Sequence, residues 1–494
     1  MKAYRPYSPE QSFLLPPSPS EWLPEGHLAY FVLGLVKDLD LSAIERVMQA
    51  KDPRGERPYS PSMMTSLLLY AYATGVFSSR RIERATVEDV AFRVIAAGAQ
   101  PHFTTVNQFR ATHRQALADL FLQVLRACQF AGLVKLGHVA IDGTKMKANA
   151  SKHKAKSYDR MQKDDARLRG EIEALLARAE AVDAEEEAQH GPYDPQEEIR
   201  RREEQLAKMA AARDALRRET AAARAATLRE QATQLRRKAV QPTTPLNQQR
   251  AFTTLATKRD QQALELDPSD DGDGDPPSPG IDADLPRNTP PSTKAGDPKP
   301  EAQRNFTDPE SRIMVRDGGF IQAYNAQIAV DEAHQVIVAA ALSNQAPDAE
   351  YFEPMLNRIV DNCDAVPARI TADSGYFSAA NVWAAEHMGT EPFISVGKHR
   401  NDGRPIEGAS PRPDTPTKAA MRARLSAPDG RAAYARRKST VEPVFGQIRS
   451  ARGFRQMSFR GLWKSGCEWL LVCLTHNLLK LFRATRPQRQ PLAA

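Results

Sequence analysis

Cysteine is scarce: Cys128, Cys363, Cys467 and Cys473 are the only four in 494 residues. No two of them form a C-x-x-C pair, and each stands in an apolar or helical context. That argues against a disulfide framework or a thiolate zinc site and for free buried thiols in a reducing compartment. Long hydrophobic runs are also missing. No stretch of about 18 uninterrupted apolar residues occurs, so no membrane span is expected. The richest segment, EWLLVCLTHNLLKLF, carries Glu468, His476 and Asn477 and reads as a buried helix. The opening MKAYRPYSPEQSFLLPPSPSEWLP has no apolar core and much proline, unlike a secretory signal. Charge of one sign does not dominate. The formal net charge of +7 leans toward polyanionic partners without identifying one.

What is present reads as a succession of unlike stretches, and the length predicts two or three domains. Residues 1–135 carry apolar residues at helical spacing. Ser60-Pro61 starts one helix, Ser79 caps another whose first turn is basic, and TTVNQFRATHRQALADLFLQVLRACQFAGLV reads as one Thr-capped helix ending near Gly132. The stretch is either a plain helical bundle or a helix-turn-helix-like DNA-binding domain. Residues 136–152 hold the strand HVAID and its acidic end. Residues 153–240 are charged, Ala-rich and almost without aromatics, with Leu206, Met209 and Leu216 at intervals of three and seven. They predict a coiled-coil hairpin of two long helices folded back at Gly191-Pro192. Residues 241–305 are rich in Pro, Asp and Ser and predict a disordered linker. Their DDGDGD run lacks the loop spacing and terminal Glu of an EF-hand. From 306 to 484, strands (FIQAYNAQIAVD, HQVIVAAALS, ARITAD, EPFISVG) alternate with helices, and 485–494 form a tail.

Three acids stand out by context. Asp142 ends HVAID, Asp373 ends RITAD before a Ser-Gly-Tyr turn, and Glu442 lies on the helical stretch YARRKSTVEPVFGQIR. Taken singly, each aspartate reads as a turn or helix cap, and Glu442 as a solvated partner of a nearby Arg or Lys. Together, carboxylates at two strand ends with a third on a helix can converge at a sheet edge. With no His or Cys among them, they suit hard cations such as Mg2+ or Mn2+. Two such ions could activate an attacking oxygen and stabilise a leaving one at a phosphodiester.

These three blocks resemble the motifs of bacterial insertion-sequence transposases of the DDE type. YARRKSTVEPVFGQIR is similar to their Tyr-Arg-Glu-Lys motif through Tyr434, Arg437, Glu442 and Arg449, AIDGTKMKANAS to the first-Asp motif, and ITADSGYFS to the second. SSRRIERATVEDVAF, TTVNQFRATH, AYNAQIAVD and EWLLVCLTHNLLKL resemble one branch, the IS-eleven-eighty-two branch. The resemblance covers most of the length outside about residues 155–305 and implies a ribonuclease-H-like catalytic core; the chain is then α/β, with an all-α N-terminal domain and with the coiled-coil plus disordered stretch read above as an insertion between the first and second strands. It implies a metal-dependent DNA transposase that cuts strands at element ends and joins them to target DNA, with Asp142, Asp373 and Glu442 as ligands of two Mg2+ or Mn2+ ions. The partners implied are double-stranded DNA, as terminal inverted repeats and as target, and a second copy of the chain in a homodimer. The place implied is the cytoplasm, at the nucleoid. The motif departs in having Arg449 where Lys is usual, and in a spacing that leaves the motif Arg open between Arg436, Arg437 and Lys438.

Charge agrees with a DNA partner. Between Val396 and Lys464 stand sixteen Lys and Arg against five Asp and Glu, so the rest of the chain is net acidic. Tyr434, Phe445, Phe454 and Phe459 interleave with these cations, and some could stack on bases. Lys145 and Lys147 are expected to line the approach of the DNA. Counting along an ideal helix predicts Arg449 on the face of Glu442, gripping a phosphate, Tyr434 near that face, and Arg437 to one side. A tyrosine-recombinase role for Tyr434 would need an Arg and His constellation that the three acids argue against. Two alternatives stay open: a nuclease of the same core that never joins strands, and a catalytically inactive DNA-binding relative.

Overall fold

The computed structural model describes residues 18, 21–50, 57–183, 195–241, 244–267, 285–397 and 415–485. Its strands are β1 (Val139–Lys147), β2 (Ala155–Ser157), β3 (Gln303–Asn305), β4 (Arg312–Arg316), β5 (Gly319–Asp331), β6 (Ile337–Ser343), β7 (Arg369–Ala372) and β8 (Glu391–Ile394). The main sheet runs β6-β5-β1-β7-β8, with β4 on the first part of β5; β2 and β3 form a separate pair. β5 is antiparallel to β1, β4 and β6, while β1, β7 and β8 are parallel. This mixed order is compatible with a ribonuclease-H-like fold.

Burial explains the order. Val139, Ala140 and Ile141 are fully buried, as are all seven residues of β6 within a few per cent. Strands covered on both faces carry such continuous apolar runs. The sequence predicts that Asp142 ends its strand. Instead β1 continues through Lys147, because β5 is long enough to pair with all nine of its residues, from Val139↔Asp331 to Lys147↔Ala323. Only the parallel neighbour β7 stops short. Between β4 and β5, Asp317 and Gly318 both have positive φ, 52° and 76°, as a tight two-residue hairpin turn requires.

Among the described residues seven helices precede the sheet: α1 (Leu28–Asp38), α2 (Ser42–Gln49), α3 (Pro61–Ala73), α4 (Ser79–Glu88), α5 (Val90–Ile95), α6 (Phe103–Thr112) and α7 (Arg114–Phe130). The single helix expected over 104–132 is broken at His113. The cap of α6 is the His102 ring, whose Nδ1 accepts from the Thr104 N–H. The long excursion between β1 and β5 carries α8 (Tyr158–Asp183), α9 (Pro195–Ala239) and α10 (Leu246–Leu266). The fold-back at Gly191-Pro192 lies outside the described residues, but α8 and α9 are bridged by Arg202 to Glu171 and Arg213 to Asp165.

Disorder over 241–305 is corrected in part. α10 occupies 246–266, and Ala263 and Leu266 pack on Ala225 and Leu228 of α9. Its contact stripe is largely alanine, so its apolar period is faint beside its Gln, Thr and Lys. Residues 285–305 are ordered too: Leu285 joins the main core, and Glu219 of α9 accepts ion pairs from Arg304 and Arg312. Residues 268–284, with DDGDGD, lie outside the described residues.

After β6 come α11 (Phe352–Cys363), α12 (Ala379–His387), α13 (Pro416–Ser426), α14 (Pro428–Gly446) and α15 (Leu462–Thr485). α15 is buried over most of its length, and its apolar residues share one core with the sheet and the N-terminal helices. Each buried polar residue in it has a partner. Glu468 accepts from the Tyr72 hydroxyl at 3.0 Å and the Ser458 N–H at 2.7 Å; Asn477 pairs with both backbone groups of Ile337; His476 meets the Gln335 carbonyl at 2.9 Å. Among the described residues no helix is long and apolar enough to cross a membrane. All four cysteines are buried and free.

Candidate active site

Register brings Asp142 and Asp373 together. Val139 pairs with Ile370 and Ala140 with Thr371, and continuing the count sets Asp142 opposite Asp373. The β7 ladder ends at Ala372, so the two carboxylates stand where neighbouring strands, about 4.8 Å apart, begin to part. Asp373 does cap the turn after it: its Oδ1 accepts from the Gly375 N–H at 2.8 Å. Its second oxygen has no protein donor among the described residues.

The counter-charge comes from α14. Arg437 Nη1 donates to Asp142 Oδ2 at 3.0 Å, and the Gly143 N–H donates to Oδ1 at 2.8 Å. Of the three cations open from sequence, only Arg437 turns inward. Arg436 lies 3.5 Å from Glu332, and Lys438 is exposed. Burial pushes the Asp142 carboxyl up to about 6, the Arg437 charge pulls it back, and the Asp373 charge adds to the rise. Burial also opposes the charge on Arg437, but Asp142, Tyr434 and Asp373 outweigh it and hold the guanidinium above its usual range.

This reverses the expected helix faces. Arg437 is 9% exposed and pointed at Asp142, whereas Glu442 is exposed. Among the described residues no group of three His, Cys, Asp or Glu is placed to hold a metal ion. The ideal count also fails beyond Glu442. Pro443 sits inside α14, and Gln447–Ala451 forms a π-helical turn. Proline removes a backbone donor and the wider turn changes the angular step. Arg449 there reaches Thr144 Oγ1 at 3.3 Å, on the Asp142 face of β1. The Tyr434 ring centre lies 5.8 Å from the Arg437 guanidinium.

The two lysines part company. Lys147 is exposed. Lys145 is engaged within the protein: its Nζ donates to the Ala346 carbonyl at 2.7 Å and to Asp348 Oδ1 at 3.1 Å. Side chains alternate along a strand, so Gly143, Lys145 and, at the exposed end of β1, Lys147 lie on the face opposite Asp142. There a network hidden from sequence reasoning gathers. Asp348 Oδ1 also accepts from Asn325 Nδ2 at 2.7 Å and Gln327 Nε2 at 3.0 Å. The Tyr376 hydroxyl, from the turn after Asp373, donates to Gln327 Oε1. The network thus ties β1, β5 and the Asp373 turn together. Its trace in the sequence is the pair of polar residues, Asn325 and Gln327, two apart in the mostly apolar run 323–330 of β5. The interleaved aromatics are also corrected. Phe445 and Phe454 are core, and Phe459 lies under Arg110 with 4.8 Å from guanidinium to ring centre.

The donor chemistry fits a hard divalent cation at the Asp142–Asp373 pair, two carboxylates with oxygen lone pairs to spare, with Glu442 outside the pair in this arrangement. A mixed sheet that sets Asp142, midway along β1, beside Asp373, just past the end of β7, is compatible with the ribonuclease-H-like α/β class of protein. Within that class, two family models match the chain: the Transposase DDE domain over residues 299–478 and the Transposase domain (DUF772) over residues 17–112. Together they indicate an insertion-sequence transposase, a nucleic-acid-modifying enzyme. The first match includes Asp373 and Glu442; Asp142 lies between the two. No curated protein and no solved structure matches the chain.

Proposed function

We propose that the chain is a DDE transposase of the Tyr-Arg-Glu-Lys type, in the IS-eleven-eighty-two branch, cutting DNA at the ends of its element and joining the freed 3′-OH to target DNA. The observation that carries this reading is the in-register meeting of Asp142 and Asp373 beneath Arg437. Asp142 and Asp373 would hold Mg2+ or Mn2+, one or two ions, and Glu442 would complete the ligand set by turning inward. Bound there, the metal would lower the pKa of the attacking water or hydroxyl and neutralise charge building on the phosphate.

The protein's own residues set the stage. Arg437 balances Asp142 and places positive charge where the scissile phosphate would dock. Tyr434 holds its guanidinium in place. Arg449, fixed by Thr144, grips a neighbouring phosphate, and Lys147 tracks the strand further out. The N-terminal helices take part in end recognition. A second copy completes a homodimer on paired ends, so that each site meets both element end and target.

The test is cleavage of a duplex bearing the element's terminal repeats, with Mg2+ or Mn2+ and with EDTA. Asp142→Asn, Asp373→Asn and Glu442→Gln are each expected to lower cleavage and strand transfer by about two orders of magnitude or more, with DNA binding nearly intact. Full activity in any one variant would remove that residue from the site. Cleavage without any joining of the 3′-OH would reduce the protein to a nuclease.

A further inference from the structure

We infer that the cavity beyond the end of β1 is a second nucleic-acid site, one that seats an unpaired base and its flanking phosphates several steps from the cut. It rests on the transposase reading and adds a place and a ligand to it. The cavity has a volume of about 650 Å3, and its lining includes Lys147, Lys152, His153, Lys154, Arg460 and Phe320. None of its lining residues is acidic. Lys147, Lys152, Lys154 and Arg460 are exposed, and no ion pair involves any of them among the described residues. Cations left uncompensated around a concave surface concentrate a positive field there.

The walls are built rather than loose. Residues 456–460 run alongside the end of β1: Met457 N–H donates to the Lys147 carbonyl at 2.8 Å, Asn149 Nδ2 to Ser458 O at 2.7 Å, and Arg460 Nε to Asn149 O at 3.2 Å. The short helical turn Lys152–Lys154 is capped by Ser151, and Asn305 Nδ2 holds the Ser151 carbonyl at 2.8 Å. The opposite wall is β5. There Phe320 is 62% exposed, opposite Val315, itself 60% exposed, across the β4–β5 hairpin. A phenyl ring held on a rigid strand at the mouth of a basic cavity is what a base stacks on. The four aromatics singled out by sequence are not placed for this.

The cavity lies at the end of the strand that carries Asp142, with Phe320 on the Asp142 face by its register and Lys147 on the other. Lys147 is five residues from Asp142 on the same strand, roughly 17 Å at about 3.3 Å per residue. Between them stand Arg449 on Thr144 and Arg316, whose Nη1 donates to the Lys145 carbonyl at 3.1 Å. Burial, then Arg316 and Arg455, depress the Arg449 guanidinium, with Asp317 opposing, so the positive charges here are only partly compensated. At about 3.4 Å per nucleotide of duplex, the distance corresponds to roughly five steps from the cut.

The test compares two DNAs in the full-length protein: an element-end duplex fully paired, and the same duplex with unpaired bases centred five positions from the cleavage site, one of them 2-aminopurine. Phe320→Ala is expected to weaken binding to the unpaired substrate about five- to a hundredfold, abolish quenching of the 2-aminopurine, and leave the paired duplex unaffected. Phe320→Trp should restore both. Lys152→Ala with Lys154→Ala should weaken both substrates and lower the salt slope by about two. Phe130→Ala, a 98% exposed ring elsewhere, should change neither. Unchanged affinity and quenching in Phe320→Ala, with wild type binding normally, overturns this site alone. Wild-type protein that binds neither DNA overturns the transposase reading with it.

Discussion

Gly143 follows Asp142 for a reason that a double-mutant cycle can measure. A Cβ at position 143 would stand 2.3 Å from Gln327 Nε2, 3.0 Å from its Cδ and 3.2 Å from Asn325 Oδ1. Gln327 cannot simply swing aside. It is fully buried, its Nε2 donates to Asn325 and Asp348 at 3.0 Å each, and its Oε1 accepts from Tyr376. Moving the amide forfeits these three bonds in a dry place. At about 1 kcal/mol net for each, Gly143→Ala should cost about 3 kcal/mol. Gln327→Ala should cost a similar amount, since it strands the Tyr376 hydroxyl and an Asp348 lone pair. The double variant keeps only the 3.2 Å approach to Asn325 Oδ1, so it should be little worse than Gln327→Ala alone, a coupling of about 2–3 kcal/mol. Equilibrium denaturant unfolding reads all four proteins, with the m-value checked for constancy. Costs that add to within about 0.5 kcal/mol would refute the argument, because they would mean that the two side chains do not compete for one space.

Removing the counter-charge has its own signature. Arg437→Ala leaves the Asp142 carboxylate, 17% exposed, without its cation and should destabilise the protein by about 3 kcal/mol near neutral pH. Added Mg2+ should then raise the thermal midpoint more than it does in wild type, and equal shifts in the two proteins would argue against a shared locus for cation and guanidinium. Acid should act on His476, whose imidazole burial, then the Arg452, Lys480 and Arg483 charges, drive well below its ordinary value, with the Gln335 carbonyl opposing. Below about pH 6.5 the unfolded chain takes up a proton that the folded one refuses, so stability is lost as pH falls, roughly 2 kcal/mol between pH 7 and pH 5. Asp142, raised in the fold, pulls with the opposite sign below about pH 6. The histidine effect is therefore the difference between wild type and His476→Gln, and parallel pH profiles for the two would refute it.

Some of this was written locally in the chain. The apolar run Val139–Ile141, the strand ending at Asp331, the strand running up to Asp373, and the helical periods of α8, α9 and α15 follow from residue spacing, because side-chain alternation and helical pitch are properties of a few consecutive residues. The candidate acids and their order along the chain were legible for the same reason. What the tertiary structure decided were the partners. Strand register, a long-range property, put Asp373 opposite Asp142. Arg437 was chosen over Arg436 and Lys438 by which side of α14 meets the sheet, and Glu442 was left outside by that same choice. Lys145, a neighbour of Asp142 in sequence, faces the other side of the sheet because a strand's side chains alternate. α10 went unread because alanine packs closely while adding little hydrophobic signal. The basic cavity with Phe320 draws on four separate stretches of chain, so no window along the sequence contains it, and only folding brings those stretches to one surface.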